Sequence, residues 1–272
     1  MVWNRTPGRC DPVRAAGAEV AASPDEVLRR ARVSILMLAD ESAMDTVLGR
    51  GTPRFAGNVA GRVIVHMGTT SPGYSAGLEA DVLAAGGADT WSPPSPGHAS
   101  PPRRGGWWRC SPGGRRDGRG GTAAAAPDVR RGLRLRAGAG GALLMKLAVN
   151  VFLITTVTGL AEAVHFARGH GLDVHRLREV LDSGPMASDV SRTKAAKLAR
   201  EDFTAQAAIA DVLKNNRLIA EAARERGLAS PLLDVCHALF GETLALGHGA
   251  QDMAAVIHAL ENRTATLHPD PT

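Results

Sequence analysis

"RVIVHMGTTSP" occupies residues 62–72 and joins two signals that decide the fold. "RVIVHM" (Arg62 to Met67) is a short aliphatic, β-branched run without helical spacing, the pattern of a parallel strand covered on both faces. Ser71-Pro72 then offers a helix N-cap with proline at the first helical position. The same signals stand upstream. "VSILML" (Val33 to Leu38) is a second such run, and Ser23-Pro24-Asp25-Glu26 is a capping box with proline inside it. Strands alternating with helices imply a βαβ, doubly wound architecture in the first part of the chain.

From about Gly141 no strand pattern is evident. Long helical stretches are punctuated by Gly169-His170-Gly171, Ser183-Gly184-Pro185, Gly227 with Ser230-Pro231, and Gly247-His248-Gly249. The expected fold class is therefore α/β plus all-α, with domains over 1–140 and 141–272. At 272 residues the chain is long enough for such a pair. The longest apolar run, Leu143 to Leu160, contains Lys146 and Asn150 and continues into Glu162, His165 and Arg168. It reads as the central helix of a soluble protein, not as a membrane span.

The net charge of +5 suggests an anionic partner until its distribution is considered. Trp91 to Ala137 holds ten Arg against Asp117 and Asp128, a net +8, so the rest of the chain carries −3. The basic balance is thus no argument for a fold that binds nucleic acid. Cys10, Cys110 and Cys236 are scattered, without metal-ligand spacing or a disulfide framework, as in a reducing cytoplasm. The N-terminus lacks the apolar core of a signal peptide.

Two features could carry chemistry. Lys146 and Asn150 in "GALLMKLAVNVFLITT" stand four apart, which places them one turn apart on the same helical face. In so apolar a helix they are costly unless something polar meets them. A snorkelling lysine beside a backbone-bonded asparagine would satisfy the same pattern. Arg5, in "VWNRTPGRC", follows a strand-like end and precedes a turn. In a nucleotide-binding sheet that is where the adenosine ribose lies, and an arginine there pairs with a 2′-phosphate. A surface arginine in a loop reads the same way in isolation.

Taken in order along the chain, these stretches resemble the β-hydroxyacid dehydrogenases, the family of 3-hydroxyisobutyrate dehydrogenase, tartronate semialdehyde reductase and glyoxylate/succinic semialdehyde reductase. "VWNRT" is similar to the family's end of strand two, in the form of its NADPH-using branch, so the resemblance assigns Asn4, Arg5 and Thr6 to the cofactor. "LMLADESAMDTVL" (Leu36 to Leu48) resembles the loop after strand four and assigns Leu38, Ala39 and Asp40. "HMGTTSP" (His66 to Pro72) resembles D-x-S-T-x-S-P, whose threonine, here Thr69, lies near the nicotinamide. "GALLMKLAVN" resembles the interdomain helix with the catalytic lysine and its asparagine partner, hence Lys146 and Asn150. "LKNNRLIAEAARERG" resembles the K-D-L-x-L-A helix with Lys214 in place, and "GHGAQDMAAV" the closing G-x-G-x-x-D-x-S-A pattern with Asp252. Lysine at 146, where imine reductases carry tyrosine or aspartate, separates the chain from that related group.

His66 stands for the usual aspartate, Gly68 for the usual serine, and Asn215 for the usual aspartate after Lys214. These departures bear on substrate identity more than on reaction type. The resemblance also implies an N-terminally truncated, incomplete Rossmann-type domain, without the first strand, the G-x-G-x-x-G turn and the first helix. The family's substrate loop, roughly P-V-S-G-x-x-x-A-x-x-G, should fall within the Pro-, Arg-, Gly- and Trp-rich stretch 91–137. Removing one T from codons for D-Y-V-E gives D-T-W-S, which is Asp89 to Ser92, and "WSPPSPG" can be written as V-E-P-P-V-S-G in the restored frame. We read the stretch as translated out of frame. An RNA-binding Gly/Arg arm is the competing reading, but it leaves the hidden loop unexplained.

The resemblance implies NADP-dependent interconversion of a small β-hydroxyacid and its aldehyde- or keto-acid in a cytoplasmic homodimer, with no nucleic acid, membrane or metal. Lys146 would pass the proton, and burial and the cofactor would have to bring its pKa down from about 10.4. Asn150 would hold the substrate or the lysine. Losing part of the nucleotide fold is expected to weaken or abolish activity. The alternative is a non-catalytic remnant acting as a helical dimerisation module.

Overall fold

The computed structural model describes residues 1–91 and 139–267, which fall into two compact units divided between Lys146 and Leu147. The out-of-frame reading of 91–137 lies outside the described residues apart from Trp91, where a strand ends.

The first unit is α/β. Val2 and Val20 form an isolated parallel bridge, with a 3-10 turn (Pro7–Cys10) and α1 (Asp11–Ala15) between them. Next come α2 (Pro24–Arg30), β1 (Val33–Leu36), α3 (Glu41–Leu48), α4 (Arg54–Val59), β2 (Val63–His66), α5 (Pro72–Ala84) and β3 (Asp89–Trp91). The expected caps form. Ser23 Oγ accepts from the Glu26 amide, and Ser71 Oγ accepts from the Tyr74 amide, at the starts of α2 and α5. Each satisfies an amide that the first helical turn leaves without an intrahelical partner.

The three strands are parallel in the order β1-β2-β3, with Val33 opposite Val63 and Val63 opposite Asp89. Leu36 and Ile64 face a core completed by Leu28, Met44, Leu48, Val59, Leu78 and Val82. Each such side chain withdrawn from water contributes about 1.5–3 kcal/mol, and together they hold the helices on the sheet. β2 is buried on both faces, as its sequence suggested. β1 is not. Its burial alternates, with Val33 53% and Ile35 65% exposed. β1 is an edge strand of the described sheet and only its Ser34–Leu36 face meets helices, so an unbroken aliphatic run overstated its covering.

Helix α6 (Ala139–Gly169) crosses the division, with residues 139–146 in the first unit. The second unit is helical. It contains α7 (Val174–Ser183), α8 (Asp189–Arg200), α9 (Ile209–Glu225), α10 (Pro231–Thr243), a π-type turn (Leu244–His248), a 3-10 turn (Met253–Val256) and α11 (Ile257–Leu267). Leu147, Ile154, Val157, Ala161 and Val164 of α6 enter one core with Leu198, Ile209, Phe240 and Ile257. Their spacing of three, four and seven keeps them on a single helical stripe. α6 is long and apolar enough by composition to cross a membrane, a test that the packed central helix of a soluble protein also passes. The architecture is α/β plus all-α.

Candidate active site

In a doubly wound sheet, ligands bind outside the carboxyl ends of the strands. Here the buried polar residues His66, Thr70, Ser75 and Lys146 gather beyond the end of β2. Beyond β2 the Met67 amide donates to the Leu36 carbonyl at 2.8 Å, which keeps the two loops in step. The first loop, 37–40, closes at Asp40, whose Oδ1 caps α3 by accepting from the Ala43 amide at 2.8 Å. The second loop, 67–71, closes at Ser71. Its amide and hydroxyl both donate to Glu41 Oε1, at 2.9 and 2.8 Å, so the first residue of α3 ties one loop to the other.

Ser71 therefore does two jobs, capping α5 and fastening the loop. Ser71→Ala is expected to destabilise the protein by about 0.5–2 kcal/mol, the range for a lost N-cap, and Ser71→Thr to recover most of it. Urea unfolding of the three proteins checks this.

Lys146 reaches the second loop from α6. It is only 5% exposed, and its Nζ donates to the carbonyls of Met67 at 3.1 Å and Gly68 at 2.9 Å. Backbone carbonyls meet the requirement that a buried ammonium be hydrogen-bonded. The start of α6 is fixed independently, because the Ala139 amide donates to Glu79 Oε2 on α5 at 2.9 Å. Gly68 is required by close approach. A Cβ there would lie 2.9 Å from the Leu38 carbonyl oxygen and 3.0 Å from His66 Cε1. The first unit thus brings together Leu38, the Gly68-Thr69 turn and Lys146. Thr69 is half-buried beside Gly68, and Ala39 and Asp40 are exposed in the neighbouring loop.

Asn4, Arg5 and Thr6 are exposed, with the Thr6 amide donating to Asn4 Oδ1 at 2.9 Å. The Arg5 guanidinium enters no ion pair among the described residues. An exposed guanidinium fork has the geometry to pair with a phosphate. No group of three or more His, Cys, Asp or Glu able to hold a metal occurs among the described residues.

The second unit holds the remaining expected residues. Asn150 is buried at 6% exposure and Lys214 on α9 is half-buried. Asp252 is fully buried and its carboxylate is engaged within the unit. It accepts from Lys194 Nζ at 2.8 and 2.9 Å, from the Gln206 amide at 2.8 Å and from the Ala254 amide at 3.2 Å. Gly247, left-handed at φ 91°, turns the chain at the head of this closing motif. Burial acts to raise the Asp252 pKa, but Lys194 and the Gln206 and Ala254 amides outweigh it and hold the carboxyl below its ordinary value. Burial pulls the Lys194 ammonium the other way, below the usual lysine value.

Sequence reasoning missed Lys194. In "SRTKAAKLAR" it reads as one more solvated charge, and no local signal marks it as a fully buried partner 58 residues from Asp252. His66, Thr70 and Ser75 were also unassigned, although a buried strand running directly into His66 signalled a covered imidazole.

Residues 138–260 match the family described as the NAD-binding domain of NADP-dependent 3-hydroxyisobutyrate dehydrogenase, and residues 1–98 match the NAD binding domain of 6-phosphogluconate dehydrogenase. Glyoxylate/succinic semialdehyde reductase 2, chloroplastic, of Arabidopsis thaliana is 26% identical over 264 residues, which is 96% of this chain and 72% of the relative. Glyoxylate/succinic semialdehyde reductase 1 of the same plant is also 26% identical, covering 96% of this chain and 89% of its own length. Among solved structures, a 3-hydroxyisobutyrate dehydrogenase from Salmonella typhimurium superposes with a TM-score of 0.74 at 18% identity, over 94% of this chain and 90% of that one. That structure shares the fold.

Proposed function

Because the chain belongs to the β-hydroxyacid dehydrogenases, a family of NAD(P)-dependent oxidoreductases, we propose that it interconverts a small β-hydroxyacid and its aldehyde- or keto-acid with NADP. The observation that carries the reading is the buried Lys146 ammonium, directed at the turn beyond β2. We take 1–140 as the NADP-binding domain and 141–272 as the substrate and dimerisation domain.

Arg5 would hold the 2′-phosphate, with Asn4 and Thr6 shaping the turn beside it. Leu38, Ala39, Asp40 and Thr69 would line the cofactor's path along the strand ends. When bound, the cofactor would supply the hydride as NADPH and take it up as NADP+ in the reverse direction. In reduction Lys146 Nζ gives a proton to the carbonyl oxygen as the carbon is reduced. The amine is left neutral and regains a proton from solvent, and oxidation runs the transfer backwards. Asn150, one turn further along α6, would orient the acid. Lys214 and Asp252 would serve the cofactor side, Asp252 by fixing the amides of Gln206 and Ala254.

We also propose a cytoplasmic homodimer. Val149, Phe152 and Phe166 of α6 are 46%, 76% and 62% exposed and share a stripe with Gly159 and Ala163. Small residues between exposed rings suit the close approach of a second helix.

The experiment is NADPH consumption in the presence of methylmalonate semialdehyde and tartronate semialdehyde, which yield β-hydroxyacids, and of glyoxylate and succinic semialdehyde, with Arg5→Ala as the comparison. Losing a hydrogen bond to a charged group should weaken NADPH by roughly 10- to 100-fold and leave NADH nearly unchanged. Equal loss for both cofactors would remove Arg5 from the assignment. NADPH binding without turnover on any acid would favour the non-catalytic dimerisation module.

A further inference from the structure

We propose that His66 is a positioning residue for Lys146, acting through the turn that carries Gly68. This rests on Lys146 being the proton-transferring group. His66 closes β2 at 3% exposure, and its Nε2 lies 3.0 Å from Thr70 Oγ1. Thr70 Oγ1 in turn lies 3.1 Å from Ser75 Oγ, and both hydroxyl residues are 2% exposed. The imidazole thus bridges the start of the loop to its far side and to the first turns of α5. The two carbonyls that receive Lys146 Nζ, those of Met67 and Gly68, stand inside this bridge. Loosening the bridge frees those carbonyls, and Lys146 loses the partners that aim it.

The turn is closely packed on both sides. The ring edge lies where a side chain on residue 68 would begin, with the Leu38 carbonyl closing the other side. A serine at 68 must displace the ring or the backbone, and cores resist such overpacking. The Leu38 carbonyl oxygen, at 2.9 Å, is the nearer obstruction and stays whatever stands at 66, so the turn has no room to relax on that side.

The test uses the full chain and two readouts. The first is the rate at which Lys146 is acylated by acetic anhydride, followed by peptide mass mapping; it reports the lysine's environment whether or not the lysine is catalytic. The second is kcat for the best acid of the panel above. His66→Ala should speed acylation several-fold and lower kcat by roughly 10²-fold, the scale of a 1 Å misplacement. His66→Gln, which keeps an N–H near Thr70, should stay close to the parent. If His66→Ala does not fold, Thr70→Val severs the same bridge and should speed acylation. Unchanged acylation in His66→Ala or Thr70→Val, or a His66→Gln protein no closer to the parent than His66→Ala, would overturn the proposal. Altered acylation with unchanged kcat would support the positioning while refuting the catalytic assignment of Lys146.

Discussion

Replacing Lys146 by alanine is expected to lower kcat by roughly 10²–10⁴-fold, the contribution of a positioned general acid–base group, while NADPH binding stays close to that of the parent. The lysine occupies a buried position with its ammonium on two backbone carbonyls, so its removal deletes a proton donor and leaves the sheet in place. Lys146→Arg separates charge from chemistry. The guanidinium keeps the positive charge but stays protonated at every accessible pH, so it too should fail in turnover. If a positive charge at this point were all that mattered, arginine would retain most of the activity. Asn150→Ala should reduce kcat less, through misorientation of substrate or lysine. Retention of most activity in Lys146→Ala would refute the role.

The second large effect concerns stability of the helical unit. Asp252→Asn leaves the Lys194 ammonium, fully buried, without its counter-charge. Breaking a buried pair from one side costs about 3–5 kcal/mol. Lys194→Met should cost less, because the Gln206 and Ala254 amides still serve the Asp252 carboxylate. Lys194→Met/Asp252→Asn should recover part of the loss, since no unpaired charge remains. The pH dependence has a definite sign. Asp252 sits below its ordinary value in the folded chain. Its contribution is therefore fully present above the unfolded carboxyl value of about 3.9 and is lost as pH falls through the lower folded value. Urea unfolding between pH 5 and the acid limit of folding, followed by far-UV circular dichroism, should show this loss in the parent and not in the double variant. Equal acid sensitivity in both would show that other carboxyls dominate.

Much of the fold could be read from local chemistry. The aliphatic runs at 33–38 and 62–67 contain β1 and β2, and the Ser-Pro starts at 23 and 71 cap helices as expected. Those features depend on residues adjacent in sequence. Covering of a strand does not: Val65 and Ile35 are partners in register and belong to similar runs, yet one is 4% and the other 65% exposed, because sheet order decides which strand lies at the edge. The site divided in the same way. Lys146 was marked by its cost inside an apolar helix, and the carbonyls that offset that cost lie 78 and 79 residues earlier. The burial of Asp252 depends on Lys194, whose own neighbours give no hint of it. Gly68 was visible only as a departure, and its reason emerges from the His66 ring and the Leu38 carbonyl beside it.

The measurement that bears most directly on the central claim is isotope transfer from a reduced cofactor labelled with deuterium at the nicotinamide C4. The full chain would be incubated with this NADPH and each aldehyde- or keto-acid of the panel, and the hydroxyacid products weighed by mass spectrometry. A singly deuterated hydroxyacid is expected from at least one acid, and only a trace from the Lys146→Ala protein under the same conditions. NADPH bound by the folded chain with no deuterated product from any acid, or equal product from parent and variant, would contradict it.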